Sequence, residues 1–170
     1  PEKVTQTKKI ILRKRYWLYY ALQFMSGARR QIFVVFAGFL MVEKFEFTVA
    51  EISMLLIANA AINVVFAPKI GRLIQRFGER KSLIFEYIGL SLIFAGYAFV
   101  ESSHFAVFLY IADHLFFSIA IALKTYFQKI ADPADIASSS GVSFTINHIA
   151  AVFIPVAFGL VWLSSPSLVF

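Results

Sequence analysis

Two adjacent arginines, Arg29 and Arg30, stand in the middle of a long apolar run. A charge at the centre of a bilayer costs at least ~2.5 kcal/mol, so such a side chain faces a cavity or a charged partner. Neighbouring helical positions point in different directions. We therefore predict that Arg30, on one stripe with Gln23 and Gly27, faces a cavity and contributes with Gln23 to solute binding, while Arg29 pairs with another helix. The alternative is that both arginines form structural ion pairs.

A second pair of functional side chains, Asp113 and His114, lies in a later apolar run. Asp113 is predicted to be the only acidic residue deep in a span, which makes it the counter-ion expected for Arg29. His114 is the only group there that titrates near neutral pH. Such a group of side chains suits proton-coupled transport, although His114 could equally form a hydrogen bond to a neighbouring helix.

Further polar side chains occur inside apolar runs. Asn59 and Asn63 are four residues apart, so they share a helical face that could bind a polar solute or join two helices. Glu86 is predicted to pair with Arg80 or Lys81 near the lipid headgroups. No metal-binding or cofactor-binding motif is found, and enzyme signatures such as H-E-x-x-H, G-x-S-x-G and the P-loop are absent.

The elements that position these residues are predicted from composition and run length. Hydrophobic residues make up 59% of the chain and charged residues 15%, unlike a soluble domain. Crossing ~30 Å of hydrocarbon takes ~20 apolar residues in a helix. The sequence therefore predicts an all-α membrane protein with about five transmembrane helices. We expect a basic segment at 1–15, spans at about 16–42, 49–67, 82–100, 105–123 and 137–163, and at 164–170 a truncated outer loop or the start of another span.

The orientation is predicted from lysine and arginine, which concentrate in cytoplasmic segments. They cluster before the first span, between the second and third, and after the fourth, whereas the opposite side carries only Lys44. We therefore expect a multi-pass protein of the cell membrane, inner or plasma, with a cytoplasmic N-terminus. The chain has a net charge of +6, and its basic residues lie in short clusters between apolar runs, where they can contact lipid headgroups. Lipid, and not nucleic acid, is therefore the expected partner.

The most specific motif runs from Gly71 to Lys81, between the second and third spans. It resembles the signature loop of the major facilitator superfamily, G-x-L-a-D-r-x-G-r-r-k. The matching residues are Gly71, Leu73, Arg76, Gly78, Arg80 and Lys81, whereas Gln75 replaces the acidic residue. The glycines are expected to allow a tight reversal and close helix approach. A merely positive hairpin would explain the charges but not the spacing of the glycines.

The resemblance implies a protein with two six-helix halves that rock about a central site. The fourth span lacks the arginine that the first half usually carries there, and the fifth has only Pro155 and Gly159 from a Gly-Pro-rich motif. We therefore expect the C-terminal half, helices seven to eleven, whose partners are the missing N-terminal half and the last helix. The implied function is secondary active transport of a small solute, anionic if Arg30 binds it, with protons as a candidate coupling ion. The alternatives are a non-transporting membrane subunit or sensor and, less favoured, a membrane-embedded enzyme.

Overall fold

The computed structural model describes residues 12–170, which form five long helices and contain no strand. Each helix is long and apolar enough to cross a membrane. In chain order they are α1 Lys14–Phe45, α2 Val49–Phe77, α3 Glu79–Ala98, α4 Ser103–Ile130 and α5 Pro133–Ser164. The predicted all-α membrane fold is confirmed. Of the predicted basic segment 1–15, residues 1–11 lie outside the described part of the chain.

The helices extend beyond the predicted apolar spans. α2 continues to Phe77 rather than ending near residue 67, and α4 continues to Ile130 rather than ending near residue 123. Hydropathy detects only the part of a helix that suits lipid, whereas backbone hydrogen bonding continues into the headgroup region. α1 includes a π-helical stretch at Ile32–Ala37, and α4 includes a 3-10 turn at Ser118–Ala120.

The junctions between helices are short and have local chemical causes. Thr48 caps α2: its hydroxyl accepts a hydrogen bond from the Glu51 amide at 3.3 Å, and the Glu51 carboxylate accepts one from the Thr48 amide at 2.8 Å. This reciprocal capping box satisfies amides that have no partner within the helix. After α5, a 3-10 turn at Pro166–Val169 brings Phe170 to stack on Tyr97, with ring centroids 5.0 Å apart.

The signature motif does not form the loop that was expected. Gly71 through Phe77 are the last turns of α2, Arg80 and Lys81 belong to the first turn of α3, and Gly78 alone separates the two helices. Gly78 has φ 81° and ψ 160°, a conformation essentially restricted to glycine. The expected tight reversal therefore occurs at Gly78. Gly71 is helical, and a Cβ added there would meet nothing within 4 Å, so no described residue approaches Gly71 closely.

The helices pack around two apolar clusters. One joins α1, α3 and α4 through residues such as Met41, Tyr97 and Leu109. The other lies toward the basic end and includes Tyr16 and Phe127. Along α1, α3 and α4 the two clusters are separated by buried polar residues, which form the candidate site. α2 and α5 keep most of their apolar surface exposed in this chain. Only 6% of the most apolar 18-residue stretch of each helix is buried.

The two glycines of the motif provide a test of the hairpin. Gly78→Ala should destabilise the protein by roughly 1–3 kcal/mol, because alanine must adopt a conformation that only glycine tolerates. The matched control, Gly71→Ala, lies in a helix with open space and should be neutral or stabilising by roughly 0.5–1 kcal/mol. Unfolding of the full-length protein in mixed micelles measures both, and equal stability of the two variants would contradict the hairpin geometry.

Candidate functional site

Arg29 lies at the centre of the candidate site, buried between two carboxylates. Its Nη2 is 3.7 Å from Glu86 Oε1 on α3, and its Nη1 is 3.9 Å from Asp113 Oδ1 on α4. Arg29 is 6% exposed, Glu86 3% and Asp113 1%. The guanidinium also lies over the Phe117 ring, 4.9 Å from its centroid. The structure thus brings together Arg29 and Asp113, which were predicted to pair, and adds a second acidic residue.

The partner predicted for Glu86 is wrong. The sequence predicts that Glu86 pairs with Arg80 or Lys81 near the headgroups and that Asp113 is the only deep acidic residue. Because α3 begins at Glu79, Glu86 lies seven positions farther along, roughly 10 Å into the helix at 1.5 Å per residue. At that depth it meets Arg29. A helix start placed at the motif's second glycine would have revealed this depth from the sequence.

A cavity of about 160 Å³ opens beside the buried charges. Its lining brings both arginines together with the predicted Asp113–His114 pair. The lining residues are Arg29, Arg30, Phe33, Val34, Asp113, His114 and Phe117. Arg30 is exposed and has no ion pair within 4.0 Å among residues 12–170. Both arginines therefore line this cavity, Arg30 from an exposed position and Arg29 from a buried one.

Gln23 lies elsewhere, on the contact between α1 and α5. Its amide oxygen accepts a hydrogen bond from Asn147 Nδ2 at 3.0 Å, and its amide nitrogen donates one to the Tyr19 hydroxyl at 3.0 Å. A Cβ on Gly27 would lie 2.8 Å from Asn147 Oδ1, so α5 approaches α1 closely here. Gln23 and Gly27 lie on the same face of α1, as their four-residue spacing predicts. The long side chain of Arg30 instead lines the cavity shared with α4, so the expected stripe does not form one site.

The two asparagines of α2 are not part of this cavity. Asn59 is fully buried, and neither of its amide atoms has a hydrogen-bond partner in the described structure. Asn63 is partly exposed. Both lie on the helix that packs against α4. A solute-binding role for either residue stays a prediction.

The signature residues lie at the basic end, away from the buried charges. Leu73, Arg76, Arg80 and Lys81 are exposed. Ion pairs join neighbouring segments at helix ends: Lys129 Nζ contacts Glu79 Oε1 at 2.7 Å. Arg13 donates a hydrogen bond to Asp135 at 2.9 Å, and this bond with the carboxylate charge raises the pKa of Arg13 above its ordinary value. The basic end is therefore tied together by ion pairs whose cations are exposed and whose carboxylates are largely buried.

Comparison with known proteins identifies one family. The family model described as Major Facilitator Superfamily matches residues 1–155. No curated protein and no solved structure matches the chain. The matched range contains every residue of the cavity and of the glycine motif.

The two adjacent arginines allow a matched test of the buried cluster. Arg29→Gln should lower the free energy of unfolding by about 3–5 kcal/mol, because it leaves buried carboxylates without their cation. Arg30→Gln removes the same charge from an exposed position without an ion pair, so its effect should stay within about 0.5 kcal/mol. Denaturant unfolding of the full-length protein in micelles measures both. Similar losses for the two variants would show that Arg29 has no special structural role.

Proposed function

The chain belongs to the major facilitator superfamily, a family of membrane transporters, and on this premise we propose that it acts in secondary active transport of a small anionic solute by alternating access. The observation that carries the proposal is the cavity lined by two adjacent arginines in the middle of α1. Arg29 is engaged by carboxylates, whereas the guanidinium of Arg30 has no acidic partner among the described residues. A guanidinium of this kind offers a planar fork of donors to a carboxylate or phosphate group.

Alternating access requires surfaces that meet other helices of the same protein. α2 and α5 expose long apolar faces in this chain, as expected for helices that contact lipid or further transmembrane segments. We assign the five helices to positions seven to eleven of a twelve-helix protein. In this assignment the N-terminal half and the last helix complete the central cavity, and the two halves rock about it.

The other functional classes are less well supported. Members of the family are transporters rather than enzymes, and the matched range covers the polar site. A non-transporting subunit or sensor would need the same membrane fold but would not move solute across the membrane. Direct transport measurements separate these classes.

Arg30→Lys tests the solute site, since lysine keeps the charge but loses the bidentate fork. Losing a charge-assisted hydrogen bond of about 1.5–3 kcal/mol should lower transport roughly 10- to 100-fold at unchanged expression. The assay is uptake of labelled sulfate, phosphate, lactate and succinate by proteoliposomes that contain the full-length protein. The control is Arg72→Lys, on the exposed basic end, which should transport like the parent. Unimpaired uptake by Arg30→Ala would remove Arg30 from the solute site.

The proposed orientation in the membrane has its own test. Single cysteines at Arg76 or Lys129 should react with an impermeant maleimide only from the cytoplasmic side, because lysine and arginine concentrate there. A cysteine at Lys44 should react only from outside. These 170 residues contain no cysteine. The parent for labelling is therefore the full-length protein with any cysteine elsewhere replaced, so that each label reports one position. The reverse labelling pattern would overturn the cytoplasmic N-terminus.

A further inference from the structure

A second cavity lies at the far end of the bundle, the end where α1, α3 and α5 finish, opposite the basic end. Its volume is about 360 Å³, and it shares no lining residue with the cavity beside Arg29. Small-molecule sites typically enclose about 300–1,000 Å³. On α1, Glu43 of the far cavity lies thirteen positions after Arg30, roughly 20 Å along the helix. The far cavity is therefore separate from the proposed solute site.

Two adjacent side chains of opposite charge, Glu43 and Lys44, line the far cavity. They do not pair with each other, because neighbouring helical positions point in different directions. Among residues 12–170, neither side chain forms an ion pair within 4.0 Å with any other group. The cavity wall thus carries one negative and one positive charge, and both are available to a ligand.

Both charged side chains are nevertheless held in place. Trp162 Nε1 donates a hydrogen bond to Glu43 Oε2 at 3.1 Å. The indole ring in turn packs on Phe36, with ring centroids 5.5 Å apart. Lys44 Nζ donates to the Val100 carbonyl at 2.6 Å. Long side chains usually lose conformational freedom when they bind a ligand, so these anchors lower the cost of binding.

Each anchor leaves hydrogen-bonding capacity unused. A carboxylate accepts through two oxygens, and Glu43 uses one of them for Trp162. An ammonium has three donors, and Lys44 uses one for Val100. Tyr97 lines the same cavity, and its buried hydroxyl has no hydrogen-bond partner among the described residues. The cavity therefore offers a charged acceptor and a charged donor side by side, with a further polar group in its wall.

We infer that the far cavity binds a small zwitterion that carries a primary ammonium and an anionic group. The ammonium donates to the Glu43 carboxylate, and Lys44 donates to the anionic group. A ligand with a single charge is repelled by one of the two wall charges, whereas a zwitterion complements both. Free amino acids and the phosphoethanolamine headgroup of a phospholipid share this chemistry. Both can reach a cavity at the end of membrane-spanning helices.

The wall selects a primary ammonium over a trimethylated one. Glu43 binds an ammonium through charge-assisted hydrogen bonds, and a trimethylated nitrogen has no N–H to donate. Proteins bind trimethylated ammonium groups in cages of aromatic faces. Here Trp162 packs on Phe36 and directs its N–H to Glu43. Discrimination between the two ammonium types therefore reports directly on the Glu43 contact.

Calorimetric titration of the full-length protein in phosphatidylcholine nanodiscs tests the site on the parent protein. The primary zwitterions are free glycine and phosphoethanolamine, and their trimethylated counterparts are glycine betaine and phosphocholine. At least one primary zwitterion should bind. Its counterpart should bind roughly tenfold more weakly or less, because it lacks the charge-assisted hydrogen bond to the carboxylate. The measurement needs no transport, so its outcome is independent of the proposed function.

Conservative variants locate the binding at the far cavity. Glu43→Gln removes the charge but keeps an oxygen that can accept from Trp162, and Lys44→Gln replaces the ammonium with a neutral amide. Each variant should weaken binding of the primary zwitterion roughly tenfold. The matched control is Glu101→Gln, which removes an exposed acid that does not line the cavity. This control should bind like the parent.

Adding phosphatidylethanolamine to the nanodiscs separates the two sources of the zwitterion. Weaker binding of the free probe in these nanodiscs shows that the lipid headgroup occupies the cavity, and equal binding assigns the site to a free solute. The inference is overturned if no probe binds, if primary and trimethylated ligands bind equally, or if Glu43→Gln and Lys44→Gln bind like the parent. Should a variant fail to fold, the comparison of ligands on the parent protein decides alone.

Discussion

A buried guanidinium that cannot lose its charge is the constraint on which the rest of this structure depends. Arg29 must find negative charge within the membrane, and among residues 12–170 it does so where α3 brings Glu86 and α4 brings Asp113 to within 4 Å. Exposed ion pairs contribute about 0–1 kcal/mol, whereas separating a buried charge from its partner costs about 3–5 kcal/mol. The register of the three helices in this structure satisfies the charge, and apolar clusters pack on either side of it.

The contact between α1 and α5 depends instead on close helix approach and on hydrogen bonds between the two helices. Gly27 allows Asn147 to approach the α1 backbone, and the amide of Asn147 then bonds Gln23. Nearer the basic end, the Ser143 hydroxyl donates to the Tyr19 hydroxyl at 2.9 Å. In lipid, helices gain little from burying apolar surface against one another, so small residues and interhelical hydrogen bonds determine such contacts. Gln23, which the sequence predicts to contribute to solute binding, here joins the two helices.

The proposed solute site depends on the arginine that the buried carboxylates leave without a partner. Arg29 pairs with the two carboxylates. The guanidinium of Arg30 lines the same cavity without an acidic partner among the described residues. The two positions have the same chemistry but different neighbours, and in the proposed function this difference gives Arg29 a structural role and leaves Arg30 to bind the anion. The hairpin at Gly78 fixes where α3 begins and so how deep Glu86 lies, which links the signature motif to the charge cluster.

The sequence by itself determined the five helices, a tight reversal within the glycine motif and the resemblance to the family, because span length and motif spacing are local properties. Only the structure showed that the reversal takes a single residue, Gly78. The sequence also indicated that Arg29 needs an acidic partner and that Asp113 has a suitable depth. Only the tertiary structure decided that Glu86 completes the cluster, that Arg30 lines the same cavity as Arg29, and that Gln23 faces Asn147. Helical periodicity gives the direction of a side chain, but the identity of its neighbour depends on how the helices pack. Long side chains such as arginine can also reach a cavity that their Cβ direction does not predict.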